Sequence, residues 1–100
     1  MTDFNDFVTI DARLVILRAL AEQPDGRLND SLVADVLDSY GHHRSRDWIR
    51  QQLRYLADIG AVKNTDVGNG IVVAMITRLG VDHVERRTQL EGVKRPSIGA

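Results

Sequence analysis

The recurrence of apolar residues changes period at Gly60, and that change restricts the fold more than anything else in these 100 residues. Upstream, "SRDWIRQQLRYLADIG" (45–60) places Ile49, Leu53 and Leu56 on one stripe, flanked by Trp48, Tyr55 and Ile59, at the spacing of an amphipathic helix. Ser45 stands where an N-cap hydroxyl belongs, and Gly60 where a left-handed residue ends a helix. Downstream, "AVKNTDVGNGIVVAMITR" carries β-branched residues on both sides of "GNG", the signature of a hairpin. Strands are therefore expected over 62–66 and 71–77, directly after the helix.

Two further helices precede this unit. "IDARLVILRALAEQPDGRL" repeats apolar groups at Leu14, Ile16, Leu17, Leu20 and Ala21 until the breaker "PDG", with Thr9 or Asp11 as the expected cap and residues 1–8 as an arm. "NDSLVADVLDSYGHH" offers Asn29 or Asp30 as N-cap, sets Leu32, Val33, Val36, Leu37 and Tyr40 inward and its acids outward, and ends at Gly41. "TRLGVDHVERRTQL" predicts a short closing helix with Val81, Val84 and Leu90 inward. The last segment, "EGVKRPSIGA", has few apolar groups and is expected to be a flexible tail over 90–100. The division is thus an arm 1–8, one domain 9–89 and a tail. The fold class is α+β, mostly α.

A chain of this length has room for one core only, which all elements must share. With 43% hydrophobic and 27% charged residues it has the composition of a soluble globular protein, and no run of about 20 apolar residues could span a membrane. The start "MTDFNDFVTI" lacks the basic and apolar regions of a secretory signal, and there is no cysteine. A cytoplasmic location, in a bacterial host cell given the resemblance below, is expected. The net charge of −1 argues against the basic domain usual in nucleic-acid binders. The charge is uneven, however. Residues 1–40 hold three arginines against eight acids, net −5, and residues 41–100 hold ten cations against six acids, net +4. A local basic face can hold phosphates within a neutral total.

The order of elements resembles a winged helix-turn-helix domain: three helices, a two-stranded hairpin as the wing, and a C-terminal helix. "YLADIGAVK" (55–63) is similar to the end of the third helix and the first wing strand in the ArsR, MarR and PadR groups, and "MITRLGVDHV" (75–84) to the wing strand entering a helix. The whole chain, with "RLVILRALAE" and "GVKRP", resembles small proteins of Mu-like phages and prophages labelled ArsR-type regulators. This resemblance implies a phage or prophage transcriptional regulator that binds double-stranded DNA, as a homodimer, through the helix 45–59. An ArsR metal sensor would need a cysteine cluster or a paired His/Asp site between helices, and this chain has no cysteine.

Within that frame the open side of the third helix carries Asp47, Arg50, Gln51, Arg54 and Asp58. Arginine pairs bidentately with guanine and glutamine with adenine, so Arg50, Gln51 and Arg54 are the candidate base readers. Arg44, Ser45, Arg46 and the helix N-terminus are candidates for phosphate, and Lys63 and Asn69 for the minor groove or a phosphate if the wing is used. Against this, arginine is a good helix former on any solvated face, and Asp47 and Asp58 repel phosphate. "HHR" (42–44) invites a metal reading, but adjacent loop residues point apart; contact of His42 and His43 with phosphates is expected instead, and no metal site. "DVGNGI" lacks the lysine–serine pair of a nucleotide loop. No nucleophile–base spacing appears, so neither catalysis nor a cofactor is expected. The alternative is a non-catalytic interaction module that keeps the scaffold to bind phage proteins in assembly or DNA packaging. The arm with Phe4, Phe7, Val8 and Ile10, together with the fourth helix, is the candidate dimer surface, the alternative being that the two phenylalanines cap the core.

Overall fold

The computed structural model describes residues 3–98, which form in chain order α1 (Phe4–Ala21), β1 (Arg27–Asn29), α2 (Asp30–Ser39), α3 (Arg46–Asp58), β2 (Val62–Gly68), β3 (Ile71–Ile76) and α4 (Arg78–Val84). The α+β class holds, with four helices and one antiparallel sheet of strand order β1-β3-β2 among these residues. Gly60 is where helix turns into strand. Its φ is +84°, its N–H donates to Ala57 O at 3.0 Å, and the N–H of Ala61 reaches back to Leu56 O at 2.8 Å. These are the two bonds of a helix end that closes through a left-handed residue, where a side chain would be strained. Ala61 and Val62 then enter the core at once.

The core gathers Leu14, Ile16, Leu17 and Leu20 of α1, Val33 and Leu37 of α2, Ile49, Leu53 and Leu56 of α3, and Ala74 of β3. The predicted stripe of α3 is therefore the buried one. The hairpin pairs Val62 with Ile76 and Asn64 with Ala74, and turns at Asn69 and Gly70, both with positive φ. A register shift between Asp66 and Gly68 leaves Val67 exposed.

Four expectations need correction. First, β1 was not anticipated: it opposes Leu28 to Ala74, and three residues are too few to display an alternating pattern. Second, α1 begins at Phe4 rather than near Thr9. Asp3 and Asp6 form a reciprocal capping box, Asp6 N–H to Asp3 Oδ1 at 3.0 Å and Asp3 N–H to Asp6 Oδ2 at 3.1 Å, so from Phe4 onward the arm is helix. Third, α4 buries Gly80 and His83, with Val81 only half-buried, because Thr77 caps it and sets its rotation.

Fourth, the tail packs against the domain as far as Pro96, with Leu90 and Val93 buried. Polar groups hold it. His83, wholly buried, accepts from Leu90 N–H at Nδ1 (3.0 Å) and donates from Nε2 to Lys94 O (2.9 Å), which fixes the neutral tautomer protonated at Nε2. Arg13 donates to Gly92 O at 2.8 Å and stacks 3.7 Å from the Tyr55 ring centroid, and the Tyr55 hydroxyl donates to Glu91 O at 2.7 Å. Hydrogen bonds to tail carbonyls leave no trace in an apolar pattern.

Candidate functional site

α3 follows α2 after a six-residue connection, and its start is set by Ser45, whose hydroxyl accepts from Trp48 N–H at 3.1 Å. From that start the helix turns one face into the core and the other outward. Gln51 and Arg54 are exposed on the outer face, together with Asp47 and Asp58. Arg44 lies just before the helix, with its guanidinium over the Trp48 ring at 4.9 Å. These placements agree with the expected open face of α3.

Arg46 and Arg50 do not stand free. Both grip Asp30, the first residue of α2, which is 0% exposed. Arg46 donates from Nε (3.3 Å) and Nη2 (3.2 Å), and Arg50 from Nε (3.0 Å). The Arg50 side chain is 27% exposed and that of Arg46 53%. Burial pushes the Asp30 carboxyl up, but hydrogen bonds from the two arginines and their charges together outweigh it, so the group sits below its ordinary value. The same bond raises Arg46. The expectation that all acids of the second helix face outward is wrong for Asp30, and Arg50, a candidate base reader, turns its Nε to that carboxylate instead of standing open. A buried carboxylate must be paired, and these are the arginines within reach.

The hairpin divides the remaining candidates. Alternation along β2 turns Asn64 and Asp66 toward α3, where with Arg50, Leu53, Arg54 and Val72 they line a cleft of about 360 Å³. Asn64 Nδ2 donates to Leu53 O at 2.9 Å, tying the strand to the helix, while its Oδ1 is buried without a partner. Lys63 points the opposite way, onto the outer sheet face beside Arg27, Thr65, Val73 and Met75. Lys63 and Arg54 are thus not on one surface. Asn69 is exposed at the hairpin tip, and Arg50 extends beneath it, its Nη2 lying 3.8 Å from the position a Cβ on Gly70 would take.

His42, expected near phosphate, is buried against Asp11, Nε2 to Oδ2 at 2.8 Å, whereas the exposed His43 pairs with Asp38. Burial raises the Asp11 carboxyl; His42 and Lys94 outweigh that and hold it below its ordinary value. Among the described residues no three His, Asp or Glu side chains converge as a metal site would require. Sequence reading overlooked Gln52, which is buried and accepts from Arg13 Nε at 2.9 Å. Its position between Ile49 and Leu56 on the inward stripe was the available signal.

The fold and site define a small α+β domain in which a two-faced helix lies beside a β-hairpin across an arginine-lined cleft. The chain belongs to the family of gp26, an uncharacterized protein of Escherichia phage Mu, to which it is 42% identical over 92 residues, covering 92% of this chain and 94% of gp26. It is also 40% identical over 75 residues to an uncharacterized protein of Haemophilus influenzae, covering 75% of this chain and 72% of that one. No protein-family model matches the sequence.

Proposed function

We propose that this chain is a winged-helix protein that binds double-stranded DNA with α3 in the major groove and the β2–β3 hairpin alongside, acting as a dimer in phage or prophage transcription regulation. The observation that carries this reading is the two-sidedness of α3. Ile49, Leu53 and Leu56 are at most 1% exposed, while Gln51 and Arg54 on the other side reach solvent next to the hairpin. A helix so anchored presents a rigid polar face of the width a major groove admits. Arg54 and Gln51 are the base readers in this account, Arg44 contacts phosphates, and Asn69 meets the backbone at the hairpin tip. Lys63 serves only if the duplex bends around the hairpin. Membership of a family with a phage member is compatible with the phage role. The place of action would be the bacterial cytoplasm, and no helix among the described residues is long and apolar enough to cross a membrane.

The test is a selection from random duplexes followed by titration of the chosen site. Arg54→Ala should weaken binding by about 1–3 kcal/mol and relax preference at one base pair, as loss of a bidentate contact does. Unchanged affinity in Arg54→Ala and Gln51→Ala would remove the major-groove assignment.

A second reading, a non-catalytic module that docks on phage proteins in assembly or DNA packaging, is favoured by one observation. Phe4 is 77% and Phe7 57% exposed on the first turns of α1. Two exposed phenylalanines one turn apart are an interaction surface whether the partner is a second copy or another protein. A parent protein that ignores DNA at about 50 mM salt, where phosphate contacts are strongest, would leave this reading standing.

A further inference from the structure

The Asp30 carboxylate lies between two arginines of α3, Arg46 and Arg50. It accepts three hydrogen bonds, two from Arg46 at 3.2 and 3.3 Å and one from Arg50 at 3.0 Å, and is entirely buried while Arg46 remains half exposed. An aspartate oxygen pair and two phosphate oxygens present the same acceptor geometry to a guanidinium. The three side chains together carry one positive charge rather than two. Asp30 belongs to α2, so this neutralisation is built into the packing of α2 on α3 and does not depend on a mobile segment.

We infer that Asp30 is a specificity-determining residue that acts as an internal substitute for phosphate, holding one unit of positive charge back from the DNA backbone. This inference rests on the DNA-binding reading. Phosphate contacts are the same for every sequence, so each cation left free at the helix start strengthens binding to all duplexes alike. Base contacts by Arg54 and Gln51 then weigh more in the total. The near-neutral net charge of the chain, −1, fits a binder that keeps indiscriminate affinity low.

The experiment compares the salt dependence of binding to the selected duplex and to an unrelated one for the parent, Asp30→Asn, and Asp30→Asn combined with Arg46→Gln. Asparagine keeps the size and one acceptor but removes the charge. Expected for Asp30→Asn is tighter binding to the unrelated duplex and a salt slope steeper by about one unit, so that its loss between about 50 and 200 mM salt exceeds the parent's roughly 3- to 4-fold. The double variant, with the parent's net charge, should return to the parent's slope. Circular dichroism identifies a variant that fails to fold. Should Asp30→Asn fail, the parent decides: the Nε–H resonances of Arg46 and Arg50 should keep their positions on adding the duplex, while the side-chain signals of Arg44 and Arg54 shift. An unchanged slope in a folded Asp30→Asn, or DNA-induced shifts at Arg46 and Arg50, overturns the inference but leaves the DNA-binding reading intact. A parent that binds neither duplex overturns both.

Discussion

Asp30, Asp11 and His83 show how single polar residues fix the geometry of this small domain. The folded chain holds Asp30 below the ordinary aspartate value of 3.8, so its proton is bound less readily folded than unfolded. Its contribution to stability is then complete above that value and drains away as the pH falls toward the lower folded value. Asp11, depressed between His42 and Lys94, adds to the same acid window. Thermal melts should therefore show the parent more stable than Asp30→Asn near neutrality and that advantage shrinking below about pH 4. A gap that stays constant into acid would contradict the ion-pair assignment. At Gly92 a Cβ would run into Tyr55 and Arg13, and φ is +77°. Gly92→Ala should accordingly release residues 90–96 from the domain, which amide hydrogen exchange at Leu90 and Lys94 would report as lost protection.

At the scale of elements, Ser45 sets where α3 starts, and with it which side chains face out. Ser45→Ala should cost about 1 kcal/mol, the usual worth of an N-cap, measured by denaturant unfolding. Leu53→Ala should cost about 2–5 kcal/mol, because its side chain is closed in by the core. The elements visible in the sequence were those with a period. α2, α3 and the hairpin came from Val33 and Leu37, Ile49 and Leu53, and the residues around Asn69. β1 was invisible because its pairing to β3 is a long-range event over three residues. The early start of α1 depended on two aspartates three apart, which also suit an exposed arm. The candidate site was legible only in part for the same reason: periodicity put Arg50 on the polar side of α3, but which polar neighbour it meets depends on how α2 crosses α3. A buried Asp30 at a position that also suits a cap gave no warning.

For the molecule as a whole, the exposed start of α1 bears on assembly. Phe4 and Phe7 lie on the exposed first turns of a helix whose buried residues run from Ala12 to Leu20. The dimer in our reading places them against a second copy, since one module of this size buries too little surface to hold DNA firmly alone. Sedimentation of the parent at micromolar concentration should give twice the mass of the 100-residue chain, and Phe4→Ser with Phe7→Ser should give the single mass with an unchanged far-ultraviolet spectrum. A parent that sediments as a monomer, with and without DNA, would remove the dimer.

The most direct test of the central claim is the affinity of the unaltered protein for its selected duplex and for an unrelated one as salt is raised from about 50 to 200 mM. The account predicts binding to both at low salt, a preference for the selected site that persists at high salt, and a fall of more than about tenfold on the unrelated duplex. No binding to either duplex at about 50 mM would show that the outward face of α3 is only solvated surface.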